Sequence, residues 1–301
     1  MFDLILVPLD GSAAAAAALT VLAPIPSRRV RLLTIEADVE GPMLVSLPEW
    51  EAWRAERARI GRAALEPAAE RLRRQGREVE TEVAFGDPAA LIVDAAVGAD
   101  LIVMASQGRG GAGRVVFGSV ADTVSRRADC PTLIVRGGER PATAPSLSRL
   151  VVPLDGSPLA EGALPMAARL ADTLGVPIHL VRVVAPDQWR ATLLAELDAP
   201  EAYERREEEA VRQAETYLAG QVQGLRDRDL MASSEVRTGS PAAVVLETVV
   251  PGDLIVLSSH GRGGPRRWVL GSVAEQLVRR APAPVLVVRP AQAAPAAGGA
   301  R

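Results

Sequence analysis

Ala105-Ser-Gln-Gly108-Arg-Gly110-Gly111-Ala-Gly113-Arg-Val-Val-Phe-Gly118-Ser119 decides how this chain is read, because a second version of it lies 153 residues further on. That version is Ser258-Ser-His-Gly261-Arg-Gly263-Gly264-Pro-Arg-Arg-Trp-Val-Leu-Gly271-Ser272. Each copy follows a short apolar run of strand length and precedes a segment with the pattern of a helix. A glycine-rich turn that feeds a helix start can aim several backbone N–H groups at one point, where the helix dipole also favours negative charge. The chemistry this pattern points to is a phosphate site, present twice.

The segments upstream of the first copy alternate between strand and helix. Leu4-Ile-Leu-Val7 reads as a buried strand ended by Pro8 and Asp10-Gly11-Ser12. Ser12 is placed to cap the alanine-rich helix that follows, and Pro24 and Pro26 stop it. Val30–Ile35 is a second strand, residues 37–48 a loop, and Glu49–Gln75 a long amphipathic helix with Gly76 at its C-terminal end. Val79–Ala84 is a third strand. Asp87-Pro88 starts a helix that Gly98 ends, Leu101–Met104 is a fourth strand, and Thr132–Val135 a fifth. This alternation predicts an α/β fold with a mainly parallel sheet.

After residues 138–148, a linker rich in Gly, Pro, Ala and Ser, the pattern restarts. Val7-Pro-Leu-Asp-Gly-Ser12 returns as Val152-Pro-Leu-Asp-Gly-Ser157, and Gly86-Asp-Pro-Ala-Ala as Gly239-Ser-Pro-Ala-Ala. Asp100-Leu-Ile-Val returns from Asp253, Gly118-Ser-Val-Ala from Gly271, and Arg126-Arg-Ala from Arg279. The offset grows from 145 at Asp10 and Asp155 to 153 at Gly108 and Gly261, so the second copy carries eight extra residues. We place them in the first helix and in the loop and long helix after strand two. A period this long is a domain duplication. The expected organisation is a first domain over residues 1–137, a linker over 138–148, a second domain over 149–290 and a disordered tail over 291–301.

Composition excludes several classes. The net charge of −3 carries no basic bias of the kind that marks a duplex nucleic-acid binder. Every cationic side chain is Arg, which excludes a Walker-type phosphate loop and lysine Schiff-base chemistry. One cysteine, Cys130, permits no intrachain disulfide and reads as a small packed residue rather than a reactive thiol. Two histidines, His179 and His260, and this one cysteine lie too far apart in sequence for a structural zinc pattern. Met1–Pro8 has neither the basic segment of a signal peptide nor the length of a membrane span, so the expectation is a cytoplasmic protein with no membrane partner.

In a doubly wound sheet, ligands sit in the crevice at the carboxyl ends of the strands. Strand one leads into Asp10 and Asp155, and strand four into the glycine loops. A carboxylate beside a phosphate cradle suggests a nucleotide, with Asp taking sugar or base donors and the loop taking phosphates. The bland readings stand beside this one. Asp-Gly-Ser is an ordinary turn and helix cap, and so is Gly-Ser at a helix start. Arg109 and Arg262 face either phosphates or solvent. Trp189 and Trp268 read as packing residues. His260 corresponds to Gln107, so no reaction common to both halves needs an imidazole there.

The joint pattern resembles the universal stress protein family in its tandem two-domain form, over about residues 2–136 and 149–290. The family's phosphate motif is Gly, two residues, Gly, nine residues, Gly, then Ser or Thr. Here Gly108 is followed by nine residues and Gly118-Ser119, and Gly261 by nine and Gly271-Ser272. Both copies depart at the first glycine, which is Ala105 in one and Ser258 in the other.

The resemblance implies two adenine-nucleotide α-hydrolase-like domains. Each is a five-stranded, mostly parallel doubly wound sheet, and they pair about a pseudo-two-fold axis along Thr132–Val135 and Val285–Val288. It implies ATP binding with Mg²⁺ or Mn²⁺ on the nucleotide phosphates, in a stress-response or regulatory protein. The implied contacts in the first half are Pro8, Asp10, Ile35, Ala105, Gly108, Arg109, Gly118, Ser119 and Val120. In the second half they are Pro153, Asp155, Val183, Ser258, Gly261, Arg262, Gly271, Ser272 and Val273. Asp10 and Asp155 would meet the adenosine part, and Ile35 and Val183 would present backbone to adenine. Pro265 removes one N–H donor from the second loop. No general base stands in either loop, so hydrolysis is expected to be slow at most. Two other readings remain: an interaction protein that binds no nucleotide, with an unknown protein partner, and a true hydrolase or transferase using His260. Pairing of two chains into a homodimer is left open.

Overall fold

The computed structural model describes residues 1–37, 46–106, 117–136, 147–185, 200–258 and 270–289, with backbone only for 200–204. Its first half runs β1 (Phe2–Pro8), α1 (Ala13–Leu22), β2 (Ser27–Glu36), α2 (Leu47–Arg74), β3 (Glu78–Phe85), α3 (Pro88–Ala95), β4 (Leu101–Ala105), α4 (Ser119–Arg127) and β5 (Thr132–Val135). The second half repeats it as β6 (Arg149–Pro153), α5 (Pro158–Glu161), α6 (Leu164–Leu174), β7 (Ile178–Val184), α7 (Pro200–Arg226), β8 (Ala232–Thr238), α8 (Pro241–Thr248), β9 (Asp253–Ser258), α9 (Ser272–Arg280) and β10 (Val285–Val288).

The caps are local chemistry. Ser12 Oγ accepts from Ala15 N–H at 3.1 Å, and Asp87 Oδ1 from Ala90 N–H at 2.8 Å. β2 starts earlier than expected, at Ser27, and α2 also starts early. α2 begins at Leu47, so Pro48 lies in its first turn and not in the preceding loop. The reason is a capping box, in which the Glu49 carboxylate accepts from both Ser46 N–H and Ser46 Oγ.

The ten strands among the described residues form one sheet, in the order β3-β2-β1-β4-β5-β10-β9-β6-β7-β8. The two five-stranded units expected from the sequence are therefore halves of a continuous sheet. Pairing is parallel everywhere except between β5 and β10. Leu133 faces Leu286, its own counterpart 153 residues on, and Val285↔Ile134 and Val287↔Thr132 exchange under the same offset. The pseudo-two-fold axis therefore passes through the Leu133–Leu286 pair. Arginines just after these strands reach across the seam. Arg289 Nη2 donates to Arg126 O at 2.8 Å and Nη1 to Asp129 at 2.7 Å, while Arg136 Nη1 donates to Arg280 O at 3.4 Å. Each thus supplies a cation to the last turn of the other half's helix, where carbonyls are left without helical partners.

Two aliphatic cores follow from the period-two alternation of the strands. Ile5, Val7, Leu150 and Val152 face α1, α2, α6 and α7, whereas Leu6, Val151, Ile255 and Leu257 face α3, α4, α8 and α9. The registers locate the extra residues. The offset is 148 at Leu33 and Val181, which pair with Pro8 and Pro153, and 153 at Ala84 and Arg237. Three residues enter in the first helix, which the second half breaks into α5 and α6, and five enter between β7 and α7 or within α7. The repeated Asp100 and Asp253 tie strands together. Asp100 Oδ2 accepts from Asp3 N–H at 2.6 Å, and the fully buried Asp253 is clamped by Arg149 Nε at 2.9 Å and Nη2 at 2.7 Å. Of the expected linker only Leu147 and Ser148 are described, Ser148 N–H donating to Gly252 O at 2.8 Å; residues 138–146 and the expected tail 291–301 lie outside the described residues.

Candidate functional site

Each half has a point where the chain, having added strands on one side of its first strand, crosses over to the other. In the second half this lies between β6 and β9, with β7 and β8 beyond β6 and β10 beyond β9. Strands that diverge there leave a crevice at their carboxyl ends. A cavity of about 350 Å³ occupies it. That size is at the lower end of small-molecule sites.

Its lining comes from six elements. β6 and its turn supply Pro153, Leu154, Asp155 and Ser157, and α5 supplies Leu159 and Ala160. From β7 come Val181 and Val183, and from α8 come Pro241 and Val245. Leu257 and Ser258 end β9, and Ser272, Val273, Ala274 and Leu277 belong to α9. Apolar surface thus gathers over β7 and α8, and polar groups over β6, β9 and the start of α9. The Asp155 turn is built by its own side chains: Asp155 Oδ1 accepts from Ser157 N–H at 2.8 Å, and Ser157 Oγ from Ala160 N–H at 3.2 Å. Gly156 suits this turn by its backbone, and any side chain there would displace a neighbour. Its φ is +82°, and a Cβ would meet the Arg182 guanidinium at 2.8 Å. Arg182 in turn stacks on Tyr217, 4.8 Å from the ring centroid, and Tyr217 donates to Glu161 at 2.8 Å. Burial and this carboxylate push the Tyr217 phenol upward, so it stays protonated.

Of the residues singled out from the sequence, Pro153, Asp155, Val183, Ser258, Ser272 and Val273 meet at this cavity, and Gly271 is the N-cap of α9. No side chain caps that helix. Ser258 Oγ is buried without a hydrogen-bond partner. In the first half Pro8 ends β1, Asp10 stands in the turn after it, Ile35 lies near the end of β2 and Ala105 ends β4. Gly118 caps α4, which begins Ser119-Val120. Asp10 Oδ1 accepts from Ser12 N–H at 2.9 Å, the same turn as at Asp155. Gly108, Arg109, Gly261 and Arg262, with Gln107 and His260, lie outside the described residues.

Sequence reasoning missed Val181, Pro241 and Val245 in the lining, and Arg182 beside the Asp155 turn. The repetition of Gly-x-Pro-Ala-Ala at Gly86 and Gly239 was a signal for Pro241, since it recurred as faithfully as Asp-Gly-Ser. Arg182 had none, because its counterpart in the first half is Thr34. Among the described residues no three His, Cys, Asp or Glu side chains gather as a metal site, and no helix is long and apolar enough to cross a membrane.

Two parallel α/β halves, joined by antiparallel last strands and each with an Asp-Gly-Ser turn at its crossover, define a tandem doubly wound protein. The universal stress protein family model matches residues 1–136 and again 147–289, and the chain belongs to that family. A universal stress protein of Mycobacterium tuberculosis is 30% identical over 260 residues, spanning 85% of each chain. One from Mycolicibacterium smegmatis is 31% identical over 220 residues, 71% of this chain and 70% of the other. The crystal structure of a universal stress protein from Archaeoglobus fulgidus covers 96% of this chain and 98% of its own, with a TM-score of 0.66. At 21% identity it speaks to the fold.

Proposed function

We propose that the second half binds an adenine nucleotide, ATP, and that occupancy of this site is the signal a regulatory stress protein passes on. One observation carries the reading: the cavity at the β6/β9 crossover draws together Asp155, Ser258 and the uncapped start of α9 at one end and Val183, Pro241 and Val245 at the other. An apolar end suits a base, a carboxylate suits ribose hydroxyls, and free helix N–H groups suit phosphate. These donors fit the group. Val181, Val183, Pro241 and Val245 would hold the base, Asp155 the sugar, and Ser272 with the backbone at Gly271 the phosphates. Mg²⁺ or Mn²⁺ would be carried by those phosphates and would neutralise their charge. With no Lys in the sequence to stabilise developing charge, the expected role is binding with slow hydrolysis at most.

Calorimetric titration of the whole chain with ATP and Mg²⁺ tests this. The expected result is micromolar binding of one ATP per chain. A flat titration on correctly folded protein would contradict it and leave the interaction-module reading.

A further inference from the structure

We infer that the Ser258 hydroxyl is a ligand contact which the family motif's glycine cannot make: it donates a hydrogen bond to the α-phosphate of the bound nucleotide. The inference rests on the nucleotide reading above and adds to it a side-chain contact at a position where the motif has glycine.

Four observations lead there. First, Ser258 Oγ is buried and has no hydrogen-bond partner, while the neighbouring hydroxyl, Ser157 Oγ, is used within its own turn. A buried hydroxyl left unpaired costs free energy, so one that persists in a cavity wall is explained by a partner that arrives with the ligand. Second, the fold does not need it. Ala105 ends β4 at the equivalent place, and Ala105↔Val135 is the same pairing as Ser258↔Val288, so an apolar side chain serves that strand end as well.

Third, the order of the strands says which part of the ligand Ser258 meets. The cavity runs from β7 across the end of β6 to β9. Its apolar end, Val183 and Pro241, is at β7 and α8, Asp155 is in the middle, and Ser258 is at the far end beside Ser272. A nucleotide laid base-first on Val183 and Pro241 therefore puts its ribose at Asp155 and its first phosphate at Ser258. Fourth, α9 begins there with no side-chain cap, so its first N–H groups point to the same place. Hydroxyl and helix start together form a donor set suited to an anion.

The test is calorimetric titration of the full chain and of Ser258→Ala with ATP, AMP and adenosine. Wild type is read first: if it binds none of the three, the nucleotide reading fails and this inference with it. If wild type binds, Ser258→Ala is expected to weaken ATP and AMP each by about tenfold, the loss of one hydrogen bond to a charged group. Adenosine, which has no phosphate, should bind both proteins equally. Unfolding of the ligand-free variant should begin no lower in temperature than wild type, since only an unpaired hydroxyl has gone. Unchanged ATP affinity in Ser258→Ala overturns the inference while leaving the nucleotide reading intact. An equal loss for adenosine, or a lower unfolding temperature, also overturns it, by assigning Ser258 to the sugar or to packing.

Discussion

The two halves of this chain share a strand order and differ at its crossover. In the first half α1 is one uninterrupted helix of ten residues, with Thr34 on the helical face of β2. In the second half three added residues break the same helix into α5 and α6, and Arg182 takes the place of Thr34 beneath Gly156. The last residue of the fourth strand is Ala105 in one half and Ser258 in the other. On the α2 face near the end of β3, the first half stacks Arg54 4.7 Å over Trp50 and 4.5 Å over Phe85, with Arg57 paired to Glu36. At the matching ends of β7 and β8 the second half has Val184 and Thr238. Duplication kept the frame and let the surroundings of one crevice diverge from those of the other. The comparison therefore separates what the fold needs from what a site needs.

Where the halves are alike, they should respond alike. Leu133 and Leu286 sit on the pseudo-axis, each about 1% exposed. Leu133→Ala and Leu286→Ala should each cost about 3 kcal/mol in urea unfolding, within error of one another. A difference of more than about 1 kcal/mol, well beyond the error of an extrapolated unfolding free energy, would show that the seam is not symmetric in energy.

Where the halves differ, the effects should part. Gly76 and Gly156 have nearly the same positive φ, +81° and +82°, but no atom lies within 4 Å of a Cβ at Gly76. Gly76→Ala should cost about 1 kcal/mol, from left-handed strain alone. Gly156→Ala should cost about 1 kcal/mol more, because Arg182 must leave the Tyr217 ring. Adding Arg182→Ala should remove the excess. If Gly156→Ala is no worse than Gly76→Ala, the guanidinium does not hold that turn.

The smallest effect concerns Cys130, whose counterpart is Ala283. Burial pushes its thiol up to about 11, so little thiolate exists at pH 8. A disulfide reagent should label it slowly in the folded chain and rapidly in denaturant, with Cys130→Ala changing stability by less than about 1 kcal/mol. Rapid labelling of the folded chain would contradict the packing account.

Much of this was legible in the sequence because repetition and period-two patterning act locally. Thr132–Val135 and Val285–Val288 read as strands from their own residues, and the caps at Ser12 and Asp87 need only neighbours in the chain. The start of α2 was also local, since Ser46 and Glu49 have capping-box spacing, yet Pro48 invited a loop. The continuity of the sheet was not local: the pairing of the last strands was expected from the resemblance alone, because it depends on how Leu133 and Leu286 meet across 153 residues. Nor was Arg182, whose role exists only because β7 brings it under the turn after β6. For the site, residue types at strand ends pointed to Asp155 and Ser272, but the unpaired state of Ser258 Oγ emerges only from packing.

The central claim is that the second half's crevice takes the nucleotide. Titration of Gly118→Val and Gly271→Val with ATP and Mg²⁺ tests it most directly. Both glycines have φ near −65° as N-caps, so valine fits the backbone and acts by crowding the helix start. The account predicts that Gly271→Val abolishes binding and Gly118→Val leaves it within about twofold of wild type, a free-energy change below 1 kcal/mol. Binding lost in Gly118→Val and kept in Gly271→Val would contradict it and move the site to the first half.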